Sequence, residues 1–133
     1  MILLDTHVLL WLDSADPRLG TTARRAIDEA HRAGELAVSA ISFWETGMLI
    51  EKGRLKLDIP THLWRQDLLS AGLREVAVDG EIGITAATLE GFHGDPADRL
   101  ITSTALVRGD RLLTADGKIL DWEGAAQRQD ARL

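Results

Sequence analysis

The 133-residue chain contains no cysteine. Disulfides, thiolate metal sites, iron–sulfur clusters and a cysteine nucleophile are thereby excluded. Long apolar runs are missing as well: the longest reach about five residues, against the ~18 that a membrane helix needs. No membrane partner is expected. Met1 leads through Ile2-Leu3-Leu4 straight to Asp5, without a basic segment or a cleavage site, so the expected location is cytoplasmic. There is no basic excess either. Lys and Arg total 15 against 21 Asp and Glu, a formal net charge of −6, whereas proteins that coat phosphate backbones are normally basic. An acidic balance still suits an enzyme that meets phosphate through a cation held among carboxylates. The phosphate-cradling GxxxxGK(S/T) and GxGxxG patterns and the GxSxG nucleophile turn are absent. Nucleotide-cofactor and serine-hydrolase readings therefore have no support.

What is present is a globular composition, 45% hydrophobic and 27% charged, which argues against disorder and for one real core. The length is close to the commonest domain size, so residues 1–133 are expected to form a single domain. No linker, repeat or low-complexity tract interrupts it. Ile2–Asp5, Leu36–Ser39, Arg74–Val78 and Arg111–Thr114 read as short strands. Spacing and end signals predict helices from His7 to Asp13, from Thr21 or Thr22 to Ala33, and over Ser42–Lys52, Thr61–Ala71, Gly80–Leu89 and Pro96–Arg108. Gly53–Pro60 reads as an extended excursion, Asp116-Gly117 as a turn, and the tail from Trp122 as a weak edge strand or a frayed end. Strands separated by helices imply parallel crossovers, hence a three-layer α/β/α sandwich around a central parallel sheet. Such sheets place their sites beyond the carboxyl ends of the strands, which directs attention to Asp5, Ser39, Thr114 and Asp116.

Four carboxylates each have a structural reading. Asp5 closes the first strand, and aspartate also favours helix starts such as the one at His7. Ser42-Phe43-Trp44-Glu45 fits a capping box, with Glu45 reaching back to a backbone N–H. Asp95-Pro96-Ala97-Asp98 is a good helix start, with Asp95 as the cap and Asp98 favoured by the positive helix end. Asp116 fits the first corner of an Asp-Gly turn. The set is harder to explain. Carboxylates from four separated segments, all expected at one end of one sheet, would repel one another unless a cation intervened. Without thiolates or a histidine pair at helical spacing, the natural guest is a hard cation, Mg²⁺ or Mn²⁺. Near a phosphodiester, that combination points to hydrolysis in which the metal activates a water and stabilises charge on the phosphoryl oxygens.

The segments Leu3-Leu4-Asp5-Thr6-His7, Ser39-Ala40-Ile41-Ser42-Phe43-Trp44-Glu45, His93-Gly94-Asp95-Pro96-Ala97-Asp98-Arg99 and Leu112-Leu113-Thr114-Ala115-Asp116 resemble the PIN domain. More narrowly, they are similar to bacterial VapC-type toxins of type II toxin–antitoxin systems. The resemblance runs from Met1 to about Trp122, in the right order. It maps the family's acidic cluster onto Asp5, Glu45, Asp98 and Asp116, its supporting polar positions onto Thr6 and Thr114, and its following arginine onto Arg99. It implies Mg²⁺- or Mn²⁺-dependent cleavage of RNA by an attacking water, homodimers, and a small antitoxin protein in the active-site groove. Asp5, Glu45 and Asp98 are then the principal metal ligands, with Asp116 a fourth ligand or an acceptor behind them. Thr114 would orient a carboxylate or a water, and Arg99 would meet the scissile phosphate or form a solvated salt bridge. Asp95 is left as a helix cap. Relatives often carry Leu-Pro where this chain has Leu89-Glu90, and the tail after Trp122 fits least well.

His7, His31, His62 and His93 lack metal-ligand spacing, and only His7 and His93 fall beside the motifs. Trp11, Trp44, Trp64 and Trp122 read as core or dimer-interface residues. Arg24, Arg25, Arg32, Lys52, Arg54 and Lys56 form local basic patches, either solvated faces or, best at Lys52–Lys56, an RNA track. A phosphoaspartyl phosphatase with Asp5 as nucleophile fits poorly, because His7 stands where a second aspartate is wanted. The alternative from another class is a non-catalytic PIN-like scaffold that binds a partner in the same groove. Which RNA is cut is not encoded in an acid cluster, so transfer and ribosomal RNA are the substrates to try first.

Overall fold

The computed structural model describes residues 1–133. In chain order the elements are β1 (Ile2–Leu4), α1 (Thr6–Asp13), α2 (Thr21–Arg32), β2 (Leu36–Ser39), α3 (Ile41–Glu51), α4 (Thr61–Ser70), β3 (Arg74–Val76), α5 (Gly80–Ala87), α6 (Pro96–Arg108), β4 (Arg111–Thr114), α7 (Gly117–Leu120) and β5 (Arg128–Asp130). The five strands form one parallel sheet in the order β3-β2-β1-β4-β5. No helix is long and apolar enough to cross a membrane.

Strand alternation sorts side chains to the two faces of the sheet. Ile2, Leu4, Leu36, Val38 and Leu113 join Val8, Leu9, Ala23, Ile27 and Trp64 in one core, beneath α1, α2 and α4. Leu3, Ala37 and Leu112 point the other way and pack with Phe92, Ile101, Ala105 and Ile119, beneath α6 and α7. Both faces are therefore covered, and the chain is the α/β/α sandwich that its alternating pattern predicts. All three residues of β1 are buried, as befits a central parallel strand.

The strand order reverses direction between β1 and β4. Leu4 pairs with Leu113 in register, and the Asp5 N–H donates to the Leu113 carbonyl at 3.0 Å. The carboxyl ends of these neighbours thus open together at the topological switch point, where a crevice forms in open parallel sheets.

The structure corrects three local expectations. Asp116-Gly117 opens a short helix, α7, rather than a bare turn. Helix α3 begins at Ile41 with Ala40 as its N-cap and no side-chain capping bond, so the Ser42–Glu45 capping box does not form. The tail is not frayed, because β5 pairs in parallel with β4 as the edge strand. Arg128 holds the approach to β5, donating to the carbonyls of Ile119 (2.9 Å), Gly124 (3.1 Å) and Trp122. The C-terminus then closes against the start of α2, where the Ala23 N–H reaches the Leu133 carbonyl at 3.1 Å. A β-carbon at Gly20 would overlap the Leu133 backbone, so this closure requires glycine there.

Candidate active site

Asp5 follows β1 and caps α1, which satisfies one of its oxygens: Oδ1 accepts from the Thr6 N–H at 2.8 Å. Its other oxygen, Oδ2, accepts from the Thr114 hydroxyl at 2.7 Å, across the switch point. The side chains of Asp5 and Thr114 are both buried, and this bond fixes the carboxylate's orientation. Thr114 Oγ1 in turn accepts the Asp116 N–H at 3.1 Å. On the opposite side, the Thr6 hydroxyl donates to Glu45 Oε1 at 2.5 Å and lies 2.8 Å from the Ser42 hydroxyl. Glu45 is thus drawn away from its own helix end and tied to the segment after β1.

The second half of the site comes from the start of α6 and the turn after β4. Asp95 caps α6 by accepting the Asp98 N–H at 2.9 Å, and Pro96 occupies the first turn. This leaves the Asp98 carboxylate free of capping, and its Oδ2 meets His93 Nε2 at 2.7 Å. One oxygen of Asp116 accepts from the Lys118 N–H at 2.9 Å. Donor atoms of His93, Asp98 and Asp116 lie within 4.8 Å of one another.

No lysine or arginine pairs with Asp5, Glu45, Asp98 or Asp116; only His7 and His93 approach an acid of the set. The electrostatic consequence is visible in two groups. Burial pushes the Asp98 carboxyl up to about 7, the His93 hydrogen bond opposes this, and the charges of Asp5, Asp95 and Asp116 add to it. Burial likewise raises Glu45, against the Thr6 hydrogen bond and with help from Asp5 and Asp95. A bare cation among these oxygens would relieve both the desolvation and the repulsion. The donor set is rich in carboxylate oxygens and fits Mg²⁺ or Mn²⁺.

Arg99 has a different place from either sequence expectation. Its guanidinium donates to four backbone carbonyls, those of Ala86 (2.9 Å), Phe92 (2.9 Å), His93 (3.1 Å) and Leu89 (3.0 Å). It forms no salt bridge and clamps the loop from α5 to α6. His7 Nε2 accepts the Ala115 N–H at 3.0 Å, which places the ring proton on Nδ1, 3.7 Å from Asp5 Oδ2. Its ring thereby ties α1 to the end of β4. Trp64 is buried and donates to Asp13 at 3.0 Å, whereas Trp44 is 57% exposed on α3.

Two participants escaped the sequence pattern. Asp95 is the expected cap, yet its charge also raises Glu45 and Asp98. His93 sits five residues before Asp98, a spacing with no helical meaning until the loop folds back on α6. Its position beside a motif was the only available signal.

Residues 2–123 match the PIN-domain family. The chain belongs to that family. As a PIN domain it is 42% identical, over 119 residues, to Ribonuclease VapC22 of Mycobacterium tuberculosis (strain ATCC 25618 / H37Rv), covering 89% of this chain and 88% of that relative. Its fold is similar to that of VapBC2 from Rickettsia felis bound to a DNA fragment from their promoter, with a TM-score of 0.71 at 16% identity over 98% of this chain and 100% of that one. DNA-bound VapBC from Salmonella typhimurium gives a TM-score of 0.69 at 18% identity, over 97% and 96% of the two chains. The PIN-domain match stops at Glu123, so the edge strand β5 and its Arg128 clamp lie outside the matched segment.

Proposed function

We propose that this PIN domain is a metal-dependent endoribonuclease, the toxin of a type II toxin–antitoxin system. The observation that carries the reading is one cluster: Asp5, Glu45, Asp98 and Asp116 converge at the switch point with no lysine or arginine among them. The 42% identity to a ribonuclease supports RNA as the substrate class. Asp5, Glu45 and Asp98 hold Mg²⁺ or Mn²⁺, and Asp116 completes the set. The cation supplies an acidified water and stabilises charge on the phosphoryl oxygens. The chain's own part is to hold the carboxylates still: Thr114 and the Thr6 N–H orient Asp5, and the Thr6 hydroxyl orients Glu45.

The rest of the surface supports the same reading. Lys52, Arg54 and Lys56 enter no ion pair, and Arg54 and Lys56 border a groove of about 730 Å³ that also reaches His7. Trp11, Leu49, Leu57 and Trp64 give that groove apolar walls suited to a segment of an antitoxin protein, while its basic rim suits RNA. Trp44 and Met48, exposed one turn apart on α3, suit the apolar centre of a homodimer. Residues 1–133 act as one domain, in the cytoplasm. The test is cleavage of mixed transfer and ribosomal RNA by antitoxin-free protein with Mg²⁺, Mn²⁺ or EDTA, beside a folded Asp98→Asn control. Discrete, metal-dependent products that vanish in the control are expected. A folded protein that neither binds metal nor cuts RNA would be a scaffold instead.

A further inference from the structure

The proposed metal set consists of carboxylates, but the structure brings a nitrogen to the same place. His93 Nε2 stands 2.7 Å from Asp98 Oδ2, and both fall within 4.8 Å of an Asp116 oxygen. The imidazole is fixed rather than wandering. Its ring stacks on Phe92 with centroids 4.5 Å apart and planes at 21°. Its backbone carbonyl, with that of Phe92, is gripped by Arg99, and Phe92 meets Trp122 edge to face at 5.2 Å. The side chain of His93 is about one-fifth exposed, so its inner edge faces the acids while the site stays open to a cation.

From this juxtaposition we propose that His93 is a metal ligand, making the Asp98–Asp116 side of the site a mixed imidazole–carboxylate subsite that prefers Mn²⁺ to Mg²⁺. The inference rests on the metal-dependent reading above and deepens it by naming the cation. A hydrogen bond of 2.7 Å between Nε2 and Oδ2 means that one proton lies between two lone pairs. A cation in place of that proton would receive both. Imidazole nitrogen suits first-row transition ions, whereas Mg²⁺ is served by carboxylates, carbonyls and water. A site of oxygens alone would have no comparable reason to favour Mn²⁺. His7 does not compete for the role, since its Nε2 is occupied by the Ala115 N–H and its Nδ1 carries the proton.

The test reads the ligand directly. Protein labelled with ¹⁵N-histidine, and unlabelled protein, are loaded with Mn²⁺ and examined by pulsed electron paramagnetic resonance for nitrogen bonded to the ion. Wild type should show imidazole modulation that changes with the isotope and is lost in His93→Gln and His93→Ala. Titration should show Mn²⁺ affinity falling by about tenfold or more in both variants, with Mg²⁺ affinity within about twofold of wild type. Circular dichroism confirms that the variants are folded, and either variant alone suffices if the other is not. Mn²⁺ bound without nitrogen modulation overturns the His93 assignment and leaves the nuclease reading intact. Modulation that persists in His93→Gln overturns it in favour of His7. A folded wild type that binds no Mn²⁺ overturns this assignment together with the metal-dependent reading.

Discussion

Away from the crevice, this protein gives its acids arginines. Asp16 meets Arg18 at 2.7 Å, Glu75 meets Arg65 at 2.6 Å, Asp110 meets Arg108 at 2.7 Å and Asp130 meets Arg132 at 2.8 Å. Hydrogen bonds from those arginines hold Asp16, Glu75 and Asp130 below their ordinary range. In the crevice the direction reverses, and burial with neighbouring negative charge raises Glu45 and Asp98. The one arginine next in sequence to the cluster, Arg99, turns its guanidinium to backbone carbonyls instead. A fold that pairs its acids elsewhere and withholds cations here has left a charge to be supplied from outside. That contrast separates a site from a merely acidic surface.

The largest effect should come from Asp98→Asn. Removing this charge is expected to cut RNA cleavage by about 10²–10³-fold or more, while raising the melting temperature of the metal-free protein. The pH trend carries the same logic. The Asp98 carboxyl titrates near 7 in the folded protein against an ordinary 3.8, so across that range the native state keeps a proton that the unfolded chain has released. This contribution is full below about pH 4 and is lost as pH rises through about 7, on the order of 2 kcal/mol once partial solvent access is allowed for. Metal-free protein should therefore unfold at progressively lower urea concentration across that window, and Asp98→Asn should flatten the slope. An unchanged slope would remove the contrast on which the site rests.

Arg99→Ala tests the clamp against the phosphate contact. Loss of four carbonyl partners is expected to cost about 3 kcal/mol, measured by urea unfolding. Full stability with lost cleavage would instead make Arg99 a substrate contact. Thr114→Val removes the hydroxyl that orients Asp5, so stability should fall by about 2 kcal/mol and metal affinity by about 10–100-fold, read by calorimetric titration. At the small end stands Arg18→Ala. Its ion pair is exposed and screened, so no measurable change in melting temperature or cleavage is expected.

Much of this was legible in the chain. Apolar runs broken by helical spacing place β1, β2, β4 and α6 almost to the residue, because buried parallel strands and capped helices leave strong local signals. The four acids could be picked out, but each had a local alternative, and only geometry could choose. Glu45 is the clearest case: the capping box is written in the sequence, yet the Thr6 hydroxyl, 39 residues away, captures its carboxylate. The tail after Trp122 is polar and unpatterned, and becomes an ordered edge strand because Arg128 finds three carbonyls that no local rule brings together.

The sequence by itself determined the layer architecture, the end of the sheet where chemistry belongs, and the carboxylates brought to it, since these follow from periodicity and strand order. Tertiary structure alone decided which oxygens remain free, that Arg99 faces carbonyls rather than substrate, and that His93 reaches Asp98. Such choices depend on distances between segments that meet only after folding, and a hydrogen bond at 2.7 Å leaves no trace in the spacing of the residues that make it.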